Sequence, residues 1–372
     1  MTSFPHAHAT ADNWLDLCAR ILEQLEPSRR AGSLGFVYVS DALDGDLAQI
    51  VRWLRSNTGT PHWVGTVGMG ICSTGLETYD TPAMAVMITD FREDQLRIMP
   101  AATDSCDGFL AAIREWRAMN PAAFAVVHGD PSSARTPELI EELADGLDNG
   151  FLVGGLTSSR GEQLQVADGV TSGGLSGVLL SAEIPVFTGL SQGCSLIGAP
   201  HTITACQDNV IVSIDDRPAL DVFREDIGET LSRNLNAVGG YIFAALPIRG
   251  SDTGDYLVRN LLGIDPGKGL LAIGDRASPG NAIQFAKRDA QTAREDLSRM
   301  VRSLRRRLPG EPRGALYHSC LGRGRHQFGE DSAELQLVRE ELGDVPLVGF
   351  YANGEISHRR LYGYTGVLTV FC

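Results

Sequence analysis

The sequence predicts a mixed α/β protein of two related sheet-containing domains, built from repeated strand–helix–strand units. Three observations predict it. Short apolar runs rich in Val, Ile, Phe and Tyr alternate with segments of helical periodicity. Each pairing closes on a second apolar run ending at a glycine, with a similar span each time: 36 to 65, 124 to 154, 242 to 274 and 316 to 349. Finally, 372 residues, 43% hydrophobic and 21% charged, give the length for two or three domains and an ordinary globular composition.

Taken in order, residues 11–26 read as an amphipathic helix with Trp14, Leu15, Ile21, Leu22 and Leu25 on one side. The first unit has a strand at 36–39, a helix at 47–54 and a closing strand to Gly65. The second has a strand at 124–127, a helix at 139–147 and a close at Gly154. The third starts at 242–245, passes through a helix from Tyr256 to Leu262, and ends at Gly274. The fourth starts at 316–320, passes through a helix at 335–342, and ends at Gly349. Recurrence at matched spacing is the mark of an internal repeat. Runs at 178–180 and 186–190 are further strands, and 201–205 with 210–214 forms a hairpin turned by Asp208-Asn209. A long helix covers about 288–307, and 366–371 is the last strand. The expected divisions are a tail and helix over 1–29, then domains over 30–195 and 196–372.

A net charge of −14 repels nucleic acid and anionic membrane. The one dense basic run, Arg302, Arg305, Arg306 and Arg307, reads as a solvated last helical turn that complements the helix dipole. The start of the chain lacks a signal-peptide pattern, and no apolar run reaches membrane-spanning length. Seven cysteines without a Cys-x-x-Cys pair give no zinc ribbon, thioredoxin-like site or c-type haem attachment. The expectation is a cytoplasmic protein in a reducing compartment.

Several segments carry a family resemblance. They are Val153-Gly154-Gly155-Leu156-Thr157-Ser158, then residues 192–199 (Gln-Gly-Cys-Ser-Leu-Ile-Gly-Ala), Asp215 to Leu220, Asp255 to Arg259, Arg288-Asp289, Ser319 to Gly324, and Pro346 to Ile356. In this order and spacing they resemble the FIST family, over roughly residues 30–372. The resemblance implies sensing or signal transduction through a small ligand, with amino acids suggested. Some relatives in the family resemble haem-binding nitric-oxide sensors acting on a histidine kinase. The chain shows no output domain of its own, so the resemblance implies a signalling partner.

The residues suggest where a ligand would sit. Cys320 ends a strand and precedes Gly322-Arg323-Gly324; His318 shares its strand face. Glycine amides and a guanidinium beside a thiol suit a reactive thiolate or an anion-binding corner. A buried structural Cys beside an Arg paired with a core carboxylate explains the same residues. Asn353-Gly354-Glu355 follows a closing strand, where the carboxylate could hold an ammonium, and Arg288-Asp289 at a helix start offers complementary charges. An internal Arg–Glu salt bridge is the competing explanation. Gly154, Gly155 and Thr157 could present amides and a hydroxyl to a carboxylate. Arg288, Cys320, Arg323, Asn353 and Glu355 are expected to converge. Gly68-Met69-Gly70 with Gly75 departs from the dinucleotide fingerprint, and Gly267-Lys268-Gly269 lacks the spacing of a phosphate loop. No Ser-His-Asp order or paired-carboxylate signature stands out. The expectation is therefore a small-ligand sensor with no cofactor or metal and no catalytic residue. The alternatives are a b-type haem sensor, for which His62, His128, His201, His318, His326 and His358 are candidate ligands, and an enzyme using Cys320.

Overall fold

The computed structural model describes all residues except Met1, 27–31, 122, 148–150 and 249–255, and the side chains of 236 and 237. Asp255 of the family motif lies outside the described residues. The chain forms two compact units, one of residues 1–192 and 294–372 and one of residues 193–293.

The first unit is a threefold repeat. Its first copy runs β1 (His6–Thr10), α1 (Trp14–Leu25), β2 (Leu34–Ser40), α2 (Leu47–Thr58), β3 (His62–Gly68), β4 (Gly70–Ser73), β5 (Leu76–Tyr79) and β6 (Ala83–Thr89). The second runs β7 (Leu96–Ala102), α3 (Asp107–Ala112), α4 (Arg114–Met119), β8 (Phe124–Gly129), α5 (Thr136–Gly146), β9 (Phe151–Leu156), β10 (Leu164–Ala167), β11 (Gly169–Ser172) and β12 (Leu175–Leu180). The third opens with β13 (Val186–Gln192), after which the chain leaves to build the second unit.

That second unit contains β14 (Cys194–Gln207), β15 (Val210–Ile214), β16 (Arg217–Pro218), α6 (Ala219–Ser232), β17 (Ile242–Pro247), β18 (Tyr256–Asp265), β19 (Leu270–Ile273) and β20 (Ala282–Arg288). Its strands follow the order β14-β20-β17-β18-β19-β15, all antiparallel, and β14 also pairs with β15. The sheet thus closes on itself. Leu220, Phe223 and Ile227 of α6 pack into the same core as Ile211, Ile242, Leu271 and Phe285. The hairpin at Asp208-Asn209 forms as expected, with Asp208 at φ 53. The third strand–helix–strand copy does not form. Residues 256–262 lie in a strand, because Tyr256 and Val258 are buried while Leu257 and Arg259 are less so, a period of two rather than 3.6. Gly274 therefore follows an antiparallel strand.

The chain re-enters the first unit through α7 (Ala290–Arg307), then β21 (Gly314–Cys320), α8 (Ala333–Leu342), β22 (Leu347–Ala352), β23 (Glu355–His358), β24 (Arg360–Tyr362) and β25 (Thr365–Phe371). α7 starts two residues later than expected, after Arg288 has ended β20. Arg305 near its end donates to the carbonyls of Glu341 and Leu342, the last turn of α8.

The three copies build three sheets of one pattern: β1-β6-β2-β3-β10-β11, β7-β12-β8-β9-β23-β24 and β13-β25-β21-β22-β4-β5. Each sheet is completed by the hairpin of another copy, so the three interlock in a cycle. In each, one parallel pair forms the centre: β2 with β3, β8 with β9, β21 with β22. The closing glycines occupy matched register positions, Gly65 opposite Val37, Gly154 opposite Val127 and Gly349 opposite Tyr317. A Cβ there would stand 1.7, 1.7 and 1.8 Å from the carbonyl oxygen of the opposite residue. Glycine is thus required by the close approach of two backbones. The repeat holds in three copies of the four expected.

Strand alternation sends Phe36, Val126, Leu316, Val348, Phe350 and Phe371 into one core shared by the three sheets. Their other faces are covered by helices. Leu17, Ile21 and Leu25 of α1 and Ile50 and Leu54 of α2 bury against Val37, Val39 and Trp63. Each such side chain contributes about 1.5–3 kcal/mol. Leu15 lies outside that stripe and is 55% exposed. The N-terminal segment is an edge strand, β1 paired with β6, so His6 and His8 belong to the sheet and not to a loose tail.

Candidate functional site

The repeat brings three polar residues together. One position beyond each glycine-facing residue stand Tyr38, His128 and His318, all fully buried. The Tyr38 hydroxyl lies 3.1 Å from Nε2 of His318 and 3.3 Å from Nε2 of His128. Phe350 stacks on Tyr38 at 5.3 Å between ring centroids. A hydroxyl has one proton, so it donates to one imidazole and accepts from the other, and the two neutral rings take opposite tautomers. Burial holds both rings neutral. It lowers His318 to about 3 and His128 well below the ordinary value, the latter helped by His318. The Nδ1 atoms of both rings have no partner among the described residues.

Two residues further along, β21 ends at the partly exposed Cys320. Burial, then the neighbouring Glu355, push its thiol pKa upward. The expected activation by Arg323 is outweighed by burial and by Glu355. Arg323 is fully buried and turned to Glu334, with Nε to Oε1 at 2.7 Å. Gly324, at φ 52, donates its N–H to the other oxygen of Glu334 at 2.7 Å. Tyr317 and Ser319 donate to Glu334 at 2.7 and 2.9 Å. Here the core-carboxylate explanation of Arg323 is the one observed.

Asn353 is exposed, and its N–H donates to the Leu156 carbonyl at 3.0 Å. Glu355 opens β23 directly opposite Gly155, which is opposite His128, so Glu355 and His128 face the same inner side of one sheet. Gly154 and Gly155 lie within β9, where their amides serve the sheet rather than a ligand. Thr157 is buried, with its hydroxyl 2.7 Å from that of Thr66. Glu355 is fully buried. Its Oε2 accepts from the Thr365 hydroxyl at 2.8 Å and N–H at 3.1 Å, and its Oε1 has no partner among the described residues. Burial raises its pKa to about 8.

The structure therefore gathers Cys320, Asn353 and Glu355 with Gly154, Gly155 and Thr157 at neighbouring strand ends. It directs Arg323 and Gly324 to Glu334. Arg288 and Asp289 belong to the second unit. Arg288 ends β20 opposite Cys194, and Asp289 caps α7 by accepting from the Thr292 N–H at 2.6 Å. Neither opens the helix interior, which begins at Ala290.

Glu334 and Glu77 were not singled out from sequence. Glu334 lies in the first turn of α8, a common place for a solvated acid. Glu77, on β5, accepts the N–H groups of Glu334 and Leu335 at 3.0 and 3.3 Å and the Tyr79 hydroxyl at 2.8 Å. Burial and then Glu334 raise its pKa. The equivalence of Tyr38 with the two histidines is visible in sequence only after the strands are aligned on their closing glycines.

Of the other histidines, His62 binds Asp168 at 2.8 Å, and His201 lies between Asp215 at 2.6 Å and Asp226 at 2.9 Å. His326 and His358 are exposed. Among the described residues, no three His, Cys, Asp or Glu side chains stand together as a metal-ligand set, and no helix is long and apolar enough to cross a membrane.

The chain matches the FIST N domain model over residues 33–217 and the FIST C domain model over residues 219–358. It is similar to an uncharacterized protein of Mycobacterium tuberculosis, 33% identical over 329 residues that cover 83% of each chain. It is also similar to an uncharacterized protein of Mycobacterium bovis, 30% identical over 367 residues that cover 93% of this chain and 92% of the relative.

Proposed function

We propose, on the premise that this chain belongs to the FIST family, that it is a cytoplasmic sensory protein that binds a small polar ligand and signals through a partner protein. An amino acid is the expected ligand and a histidine kinase the expected kind of partner. The chain acts by binding and carries no catalytic residue. The ligand sits in the first unit, at the strand ends around Cys320, Asn353 and Glu355, above the layer of Tyr38, His128 and His318.

The observation that supports this reading is the unpartnered Oε1 of Glu355. A fully buried carboxyl oxygen without a partner costs stability, about 1–3 kcal/mol or more. A ligand ammonium, taken up as the carboxyl ionises, is the natural complement. A thermal-shift screen with the common amino acids, simple amines and haem tests the reading. A ligand present at a hundred times its Kd stabilises the folded chain by about 2.7 kcal/mol. Stabilisation by an amino acid in the native chain, lost in Glu355→Gln, is the expected result. A Soret band with stabilisation by haem alone would replace this reading with a haem sensor. Covalent mass shift at Cys320 by an electrophilic substrate would replace it with an enzyme.

A further inference from the structure

Three acids are buried near one another, Glu77 on β5, Glu334 in the first turn of α8 and Glu355 at the start of β23, and they are not equally served. Glu334 and Glu355 are fully buried and Glu77 is 8% exposed. Arg323, also fully buried, is bonded to Glu334. Its remaining nitrogens reach Ser191 and the Tyr317 hydroxyl at 3.4–3.5 Å. Glu77 receives the first N–H groups of α8, the positive end of a helix dipole. Among the described residues, Glu355 has only Thr365, on one oxygen.

Among the described residues, Arg323 is the cation that acts on Glu355. Arg323 approaches from the Gly366 side, where an added Cβ would lie 3.2 Å from its Nη2, but its charge is matched by Glu334. Cys320 is a thiol, Tyr38 is a hydroxyl, and His128 and His318 are neutral imidazoles. Three carboxyls thus stand against one guanidinium. A ligand carboxylate would add a further anion with no cation to meet it, at a large desolvation cost. A ligand cation instead offsets the charge that Glu355 acquires when it gives up its proton.

We infer that the Glu355 site reads the cationic end of its ligand, a primary ammonium, amidinium or guanidinium group, and does not read a carboxylate. This inference rests on the ligand-binding reading above and names what that site recognises. Glu355 keeps its proton at neutral pH, since burial raises its pKa to about 8. Uptake of an ammonium group therefore releases that proton to solvent. The carboxylic acid and the ammonium ion become a carboxylate–ammonium pair plus one proton, so charge and atoms balance.

Isothermal titration of the full chain at pH 7, in two buffers of different ionisation enthalpy, tests this. The probes are methylammonium, putrescine and agmatine, set against acetate, succinate and glutarate. An amine is expected to bind with release of about 0.9 proton, falling to about 0.1 at pH 9. Glu355→Gln is expected to weaken amine binding at least tenfold and to abolish the release. The buffer comparison on the unmodified chain holds even if that variant folds poorly. Binding of the carboxylates but not the amines, at a site lost in Glu355→Gln, would overturn the inference and leave the ligand-binding reading standing. Amine binding without proton release would also overturn it. Failure of every amine, carboxylate and amino acid to bind the folded chain would remove both.

Discussion

Replacing Glu355 with Gln should make the ligand-free protein more stable, and increasingly so as pH rises. In the unfolded chain this carboxyl ionises near its ordinary value of 4.5, whereas in the folded chain it holds its proton to about 8. Between these values the folded state binds more protons, so stability falls with rising pH and levels off above the folded value. The interval of about 3.5 pH units, at about 1.4 kcal/mol each, gives a loss on the order of 5 kcal/mol. Gln has the same shape, keeps an oxygen for Thr365 and does not titrate. Urea unfolding at pH 5, 6.5, 8 and 9 measures the difference. The two proteins should agree within about 1 kcal/mol at pH 5 once the common background is subtracted. The variant should lead by several kcal/mol at pH 8. A stability difference that stays constant from pH 5 to pH 9 would refute the reasoning.

Other outcomes follow from the packing. Gly65→Ala, Gly154→Ala and Gly349→Ala should each lower stability by about 1–3 kcal/mol or more, because the new methyl meets a backbone carbonyl. Gly274→Ala should stay within about 0.5 kcal/mol, since its nearest neighbours are 3.7 Å away. Equal costs at all four positions in thermal unfolding would contradict the threefold repeat. Arg323→Met should cost about 3–5 kcal/mol by leaving Glu334 buried and unpaired, and adding Glu334→Leu should restore part of it. Burial lowers the pKa of His201, but the hydrogen bonds it donates to Asp215 and Asp226 more than reverse this and leave it raised. Its contribution is fully present below the unfolded value of about 6.5 and is lost as pH rises through the folded value. Urea unfolding of His201→Gln between pH 6 and pH 9 should show a smaller loss with rising pH than the native chain.

Much of the first unit was legible because its strands announce themselves locally. Phe36 to Val39 and Phe124 to Val127 are runs rich in Val and Phe, Leu316-Tyr317 opens the third, and each unit closes on a glycine that the backbone contact demands. Residues 256–262 fit both periods, because seven residues with Arg259-Asn260 at their centre are too short to separate them, and closure of the β14–β20 sheet decides between them. The hairpins β4–β5, β10–β11 and β23–β24 are three or four residues per strand. Each is stabilised by a sheet belonging to another copy, which no local pattern records. Among the site residues, Cys320, Asn353 and Glu355 were legible from their places at strand ends. The partner of Arg323 was not, because Glu334 looks like an ordinary first-turn acid. The contact of Tyr38 with His318 joins residues 280 positions apart and depends on the repeat being counted correctly.

The central claim is that the strand ends around Glu355 hold the ligand. The most direct test is a crystal structure of the chain grown with the amine or amino acid that stabilises it most in the thermal-shift screen. The account predicts a ligand nitrogen within hydrogen-bond distance of Oε1 of Glu355, with Arg323 still bonded to Glu334. A ligand bound in the second unit, or one whose carboxylate draws Arg323 away from Glu334, would contradict it.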